Sequence, residues 1–485
     1  MVLLARGHTE TIQGGRVAVA DFEGFRTSAE LSVIENVNVL APDGQSFRAG
    51  HNVVIDQGRI VSVASDSSAP AGARRIDGKS GYLIPGLIDA QVDLRRQPND
   101  LLLYLANGIT GVRDLSGHED DRALAVELER GRPGPALLVA SPRLVNRGLI
   151  GGLWETISSP RINVRHAGRA PAAVQSLGDR GYDVVHVGDG FDPVTYRAVI
   201  DAAAGRNIPT LAPLPDGARA RLPAQTAPTE IKRIELLVDD LLEAYPAQAS
   251  PSDPAAFLAF VEARADDLAA DLEARGTAIG TALWFSDSLA RQAGDLVELL
   301  RELPLAHANP AMVEGSRYAG VGWLPGMNRY EVPRDLDQAR RAATMEVWRM
   351  RSDAQKILLR AFSRGGVTIV AGSRATDELM VPGFSLHDEL RTLHESGLTT
   401  AEALRAATAA SSEVIGLSSG VIEAGRPADL VLLRENPLSD INNSRSIEAV
   451  FRAGRLHDRA ALDGMLDAVL AAHADSRKFE LSRYQ

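Results

Sequence analysis

A change of rhythm along the chain constrains its fold more than any other feature. Residues 32–40 and 52–64 place apolar side chains at every second position, the period of strands with one buried face. Gln57-Gly58, in the middle of the second run, fits a tight hairpin turn. From about residue 83 to residue 417, short apolar runs alternate with longer helical patterns, which predicts βα units around a parallel sheet. After Gly420 short strands return, at 428–433 and 447–452. Strand-rich pieces on both sides of a βα region predict one small β domain built from both ends of the chain.

Composition narrows the function classes. At 485 residues the chain exceeds one average domain and can bury a large core. Its 45% apolar and 24% charged residues are those of an ordinary globular protein. A net charge of −11 argues against a nucleic-acid partner, because a phosphate backbone needs a basic footprint. No run approaches the roughly 18 unbroken apolar residues of a membrane span, so no membrane partner is expected. Residues 1–15 hold one short apolar stretch and no cleavage pattern, so no secretory signal is expected. With no cysteine, disulfides, thiolate metal sites and a cysteine nucleophile are excluded, and a cytoplasmic location is expected.

The run Pro85-Gly86-Leu87-Ile88-Asp89-Ala90-Gln91-Val92-Asp93 resembles the first-strand signature of the metal-dependent amidohydrolase superfamily, P-G-L-I-D-x-H-x-H. Gly420-Val-Ile-Glu-Ala-Gly-Arg-Pro-Ala-Asp-Leu-Val-Leu-Leu433 is similar to that family's G-x-I-x-x-G-x-x-A-D-L-V-x-L, and residues 397–408 to the helix after its eighth strand. The resemblance spans roughly residues 30–456 and is nearest to imidazolonepropionase-like and prolidase-like members. It implies an α/β fold, a (β/α)8 TIM-like barrel carrying a small β-sandwich. The expected boundaries are an N-terminal extension at 1–29, a composite β-sandwich at 30–82 and 418–456, and a barrel at 83–417 with a helical insert about 244–275. A C-terminal helical tail is expected at 457–485, where Leu462, Met465, Leu466 and Val469 share one helix side and predict docking on the chain's own domain.

The resemblance also implies a metal site, and there the chain departs from the family. Gln91 and Asp93 stand where two histidines bind the metal. A parallel barrel sets its chemistry at the carboxyl ends of its strands, so the other ligands are expected at later strand ends. His186, on a strand at 183–187, takes the place of a carbamylated lysine. Pro213, ending a strand at 208–213, and Leu236, ending one at 231–236, each take the place of a histidine. Arg374, after a strand at 367–372, takes the place of the catalytic aspartate, and an arginine is no base at neutral pH. The family's zinc or other divalent metal is therefore expected to be absent, with no other cofactor in its place. Because the first and eighth strands adjoin in a closed barrel, Asp93 and Arg374 are expected to pair.

Energetics set the functional expectation. A bound zinc lowers the pKa of its water from about 15.7 to about 7, worth roughly 12 kcal/mol at about 1.36 kcal/mol per unit. A lone general base typically supplies about 10²- to 10⁴-fold, or some 3 to 5 kcal/mol. The leading expectation is a catalytically degenerate amidohydrolase, a structural or regulatory subunit. Its expected partner is an intact metal-dependent homologue acting on amide or peptide C–N bonds, or a second copy of itself. One rival is a metal-independent hydrolase, lyase or isomerase using Asp93, His186 or Glu235. Another is a small-molecule binder in which Arg374 grips an anionic group, with His186, Asp93 and His387 beside it. His387 lies in a loop-to-helix segment shared with the closest relatives, where capping or packing is an equal alternative.

Other motifs carry less. Gly416-Leu-Ser-Ser-Gly420 matches G-x-S-x-G but follows a helix, whereas a nucleophile elbow needs strand, turn and helix. His118-Glu-Asp-Asp121 reads as a solvated loop cluster and Gly188-Asp-Gly-Phe-Asp192 as a plain turn. Trp284 reads as core, and Trp323 and Tyr330 as candidates for a pocket wall.

Overall fold

A computed structural model describes residues 17–65, 69–94, 97–147, 161–218, 227–246, 253–310, 338–375 and 379–478. Trp323 and Tyr330 lie outside the described residues, as does the stretch 1–15 read for a signal.

The alternating segments form strands β1 (Ser32–Leu40), β2 (Phe47–Asp56), β3 (Arg59–Ala64), β4 (Arg74–Asp77) and β5 (Tyr82–Pro85). Between β2 and β3, Gln57 and Gly58 have φ of 47° and 78°. Two successive left-handed residues make the primed turn whose twist suits a hairpin. Gly58 is also required by space, because a Cβ there would lie 2.8 Å from the carbonyl oxygen of Ala453.

The βα region begins with β6 (Leu87–Val92), α1 (Asn99–Ala106), β7 (Ile109–Asp114), α2 (Glu119–Glu129) and β8 (Ala136–Val139). A parallel pair, β9 (Arg143–Val145) and β10 (Arg161–Asn163), precedes α3 (Ala170–Asp179). Then come β11 (Val185–His186), α4 (Pro193–Ala204), β12 (Thr210–Ala212) and β13 (Glu230–Ile231). The helices α5 (Ile234–Ala244) and α6 (Pro254–Ala274) lead to β14 (Ala278–Gly280), and α7 (Leu283–Glu302) and α8 (Gln338–Arg364) to β15 (Ile369–Val370). Three helices close the region: α9 (Ser385–Glu395), α10 (Thr400–Ala406) and α11 (Ala409–Ile415). The chain ends with β16 (Leu430–Leu433), β17 (Ile447–Arg452), β18 (Arg455–Asp458) and α12 (Arg459–Lys478).

Both chain ends share one sheet, in the order β18-β17-β16-β5-β1-β2-β3 with β4 on β1. The halves meet where β16 runs antiparallel to β5, from Leu430 opposite Pro85 to Leu433 opposite Tyr82. Its core, including Ile34, Val53, Ile60, Leu83, Leu430 and Phe451, comes from strands and their connections without any helix. Asp429 of the A-D-L motif accepts from the Ala453 N–H at 2.6 Å and from Arg452 at 3.3 Å. Arg452 also reaches Glu129 on α2 at 2.6 Å, which ties this sheet to the βα region.

In the βα region, β6-β7-β8 and β11-β12-β13-β14-β15 form two parallel sheets. Parallel bridges Ala140–Val184 and Val92–Ala375 join them at both edges. Every residue of β6 and β7 is buried, as parallel strands covered on both faces require. The expected helical insert is an elaborated crossover: α5 and α6 connect β13 to β14, and Phe257, Val261 and Leu272 of α6 enter the main core. The terminal helix α12 buries Leu462, Met465 and Val469 in that same core, with Leu466 partly buried beside them. The segment before β1 is held as well, since the Ala20 N–H donates to Asn99 on α1 at 2.9 Å.

Two local expectations change. The strand expected at 231–236 ends at Ile231, because Arg233 is the extended residue from which α5 starts, so Leu236 sits in a helical first turn. The acidic cluster at 118–121 is not a solvated loop: Glu119, Asp120 and Asp121 open α2, where acids suit the helix dipole, and Asp121 is buried. Asp192 ends its turn by capping α4, accepting from the Val194 and Thr195 N–H groups at 3.0 Å each. Trp284 packs in a core cluster with Leu289, Leu299 and Met380. Gly416 is the left-handed cap of α11, which leaves its G-x-S-x-G run without a nucleophile elbow. Among the described residues no helix is long and apolar enough to cross a membrane.

Candidate functional site

The carboxyl ends of the parallel strands open into one cavity of about 170 Å3. Gln91, Asp93, His186 and Arg374 come together in its wall, and Arg143, Arg161, Lys232 and Arg233 join them. The other expected residues lie elsewhere. Pro213 follows β12 and is buried, its carbonyl oxygen accepting from the Tyr196 hydroxyl at 2.9 Å. Leu236 is half-buried on α5. His387 is packed inside α9, with Nδ1 2.8 Å from the Ser444 hydroxyl and Nε2 2.9 Å from the Asn107 carbonyl oxygen. Burial, and then Arg445, push its pKa down to about 3, and it packs between these two partners and is not among the described residues lining the cavity.

Gln91 lines the cavity, but its amide nitrogen is anchored to backbone. Its Nε2 donates to the carbonyl oxygens of Lys232 at 2.6 Å and Thr281 at 3.3 Å, spanning from β6 to the far strands. Gly372 leaves room for it, since a Cβ there would come within 2.6 Å of the glutamine Cβ. His186 is buried, and its Nε2 lies 3.3 Å from the Lys232 ammonium. Burial first, then Lys232, Arg143 and Arg113, hold its imidazole well below the usual range. It is therefore neutral, with Nε2 accepting from the ammonium and the proton on Nδ1.

Arg374 occupies the left-handed region, with φ of 56°, where a side chain other than glycine costs about 1–2 kcal/mol. The backbone holds it there through its N–H, which donates to the Gln91 carbonyl oxygen at 2.9 Å. Its guanidinium carbon stands 3.7 Å from the centre of the Phe285 ring. Nη1 donates to Glu235 Oε2 at 3.1 Å, and the same oxygen accepts from Arg233 Nε at 3.1 Å. Burial works to raise the Glu235 pKa, but Arg233 and Arg374 outweigh it and hold it below the ordinary carboxylate range. Glu235 is thus a carboxylate partner of Arg374 that the sequence reading did not assign to it.

Below the cavity lie charges that the sequence reading missed. Arg113 on β7 makes two hydrogen bonds to Glu230 on β13, and both side chains are buried. Asp89, the acid of the first-strand signature, accepts from the N–H and hydroxyl of Ser373 and from the Gln91 N–H. Burial raises its pKa to about 6 against those donors. Of the wall's cations Arg374 was foreseen, whereas Arg143, Arg161, Lys232 and Arg233 were missed; the signal for Lys232-Arg233 was a basic pair directly downstream of a short strand.

Residues 339–457 match the model of the Amidohydrolase family. Over the whole chain, the structure resembles the bottromycin amidohydrolase AH, with a TM-score of 0.68, 20% identity, and coverage of 93% of this chain and 92% of that one. The fold is amidohydrolase-like. A prolidase complexed with N-methylphosphonate-L-proline is similar over 88% of this chain and 99% of its own, at 20% identity and a TM-score of 0.59. Ochratoxinase from A. niger covers 88% and 96%, at 16% identity and a TM-score of 0.58. No curated protein sequence matches.

The donor set of this amidohydrolase-like pocket does not fit a divalent metal. Only the amide oxygen of Gln91 is left as a neutral donor, its nitrogen being bonded to backbone carbonyls, and His186, the one histidine among the described residues of the wall, has a lysine ammonium at its acceptor nitrogen. Among the described residues no group of three histidine, cysteine, aspartate or glutamate side chains is arranged to hold a metal ion. Five cationic side chains in the wall would repel one.

Proposed function

We propose that this chain is an amidohydrolase-fold protein that has exchanged metal-dependent hydrolysis for a non-hydrolytic role. In that reading its two parallel sheets form one closed eight-stranded barrel, supported by the bridges at both edges and by the Ala90 N–H donating to Ala371 at 3.1 Å. The barrel is residues 83–417, and residues 30–82 with 418–456 make the β domain beside it.

One observation carries the reading: Lys232 stands against His186, where the fold's hydrolases would place a metal-bridging group. A fixed ammonium there opposes both a metal ion and protonation of the imidazole. A base drawn from Asp93, His186 or Glu235 has no observation in its favour. His186 has its acceptor nitrogen engaged, and Glu235 is spent on two arginines. The role that remains is that of a structural or regulatory subunit, assembled with an intact amidohydrolase or with a second copy of itself.

The test combines metal content, turnover and assembly. After expression with added zinc or manganese, elemental analysis should give no stoichiometric metal, and amide and dipeptide substrates should remain intact. Co-expression with an intact homologue should yield a joint peak on size exclusion and alter that homologue's activity or solubility. Tightly bound metal with turnover by this chain alone would overturn the proposal. A strictly monomeric chain that leaves the homologue unchanged would remove its subunit part.

A further inference from the structure

We propose that Glu389 is a proton-controlled cap on helix α7, and that its protonation state sets one wall of the strand-end cavity through Phe285 and Arg374. The inference stands apart from the non-hydrolytic reading, since it concerns how the wall is held and not what the cavity does.

The first support is the way α7 begins. Its N-cap residue is Ala282, whose side chain accepts no hydrogen bond, so the leading N–H groups of a 20-residue helix receive no cap from their own segment. The cap comes from α9, about a hundred residues along the chain. The Leu283 N–H donates to Glu389 Oε1 at 3.0 Å and the Trp284 N–H to Oε2 at 2.7 Å. With one amide on each oxygen, both oxygens act as acceptors, as in an ionised carboxylate. Negative charge there also suits the positive pole of the helix.

The second support is burial. Glu389 is wholly enclosed, and a buried carboxylate is costly unless its charge is offset. A proton removes the charge, but it turns one oxygen into a hydroxyl, a poorer acceptor, and so weakens one of the two amide bonds. Capping and burial therefore favour opposite protonation states. Burial raises the pKa to about 7 against the two amides, which places the balance near neutrality. Charges on the packed elements are themselves paired: Asp287 of α7 with Lys356 of α8 at 2.8 Å, and Asp388 of α9 with Arg391 and Arg445 at 2.9 and 2.8 Å. Asp287 acts on Glu389 in the direction that keeps the proton.

The third support is the link to the cavity. Phe285 follows Trp284 in the capped turn, and its ring centre lies 3.7 Å from the guanidinium carbon of Arg374, a residue of the cavity wall. With Glu389 ionised, two anchors hold that turn and keep the ring on the guanidinium. With Glu389 protonated, one anchor weakens and the contact loosens. Trp284, in the same turn and packed against a core cluster, reports the change.

Tryptophan emission of the full chain, followed from about pH 5.5 to about pH 8.5, is the test. The wild-type signal should change with a single-proton midpoint of about 7, and Trp284→Phe should remove the change. Glu389→Gln, whose amide does not titrate in this range, should abolish it. Phe285→Leu keeps every charge and loses the aromatic face. Because linkage is reciprocal, it should raise the midpoint by up to about half a pH unit. A wild-type protein without a Trp284-dependent transition would overturn the proposal, whether or not Glu389→Gln folds. A transition that persists in folded Glu389→Gln would overturn it too. An unmoved midpoint in folded Phe285→Leu would remove the link to the cavity wall.

Discussion

Arg113 on β7 and Glu230 on β13 are joined by two hydrogen bonds of 2.7 and 2.8 Å, with both side chains almost wholly removed from water. Arg113 also donates to the Ala90 carbonyl oxygen at 2.9 Å, so one side chain links β6, β7 and β13. The pair belongs to different sheets and lies beneath the cation-lined cavity, where it contributes one charge of each sign.

Breaking this pair should cost far more than removing it. Arg113→Met leaves a buried carboxylate without its partner and should destabilise the protein by about 3–5 kcal/mol, whereas the double change with Glu230→Met should recover most of that loss. Urea unfolding of the four proteins of the cycle measures the coupling. Additive single effects would mean that the two charges do not sense each other.

Glu389 should make part of the stability fall as pH rises. It lies on α9 and accepts from the Leu283 and Trp284 N–H groups at 3.0 and 2.7 Å, at the start of α7. Burial raises its pKa from 4.5 to about 7 despite those donors. The folded protein therefore holds this proton more tightly than the unfolded chain. Its contribution is complete below about pH 4.5 and is lost as pH rises to about 7. At about 1.36 kcal/mol per unit, that span is on the order of 3 kcal/mol.

Two buried histidines act the other way. His387, lowered to about 3, and His457, lowered to about 4, lose stability as pH falls below their ordinary 6.5. The wild-type profile mixes both signs, so the difference between Glu389→Gln and wild type isolates the acid. The variant should gain relative stability steadily from pH 4.5 to 7.5 in guanidinium unfolding, whatever constant offset the amide introduces. A flat difference would show that Glu389 titrates normally.

Arg374→Gly should be more stable than Arg374→Ala by about 1 kcal/mol, the reverse of the usual order at an ordinary backbone position. Both lose the contact with Phe285 and the bond to Glu235, so the difference reads the backbone alone. Chemical denaturation of the two variants decides it. Equal stabilities would remove the strain argument at φ of 56°.

Much of the fold was legible because it is set by neighbours in sequence. The alternation at 32–40 and 52–64, the Gln57-Gly58 turn and the apolar side of α12 are patterns of period two, of turn chemistry and of period 3.6. Each is decided within a few residues. The same holds for the replacement of histidines by Gln91 and Asp93, which the sequence alone displays.

Tertiary structure decided who meets whom at the strand ends. β13 is only two residues long, and where it yields to α5 determines that Lys232 and Arg233 line the cavity while Leu236 does not. Glu235, two residues from Arg233 and far along the chain from Arg374, reaches both guanidinium groups because α5 carries it over the end of β15. His387, an open candidate in sequence, is enclosed by Ser444 and Asn107 from two distant segments. A strand's period says which residues face inward, but side-chain partners depend on strand length, crossover path and the closing of separate segments around one cavity. Those are properties of the assembled chain, fixed by packing and electrostatics over distances in space that no local pattern encodes.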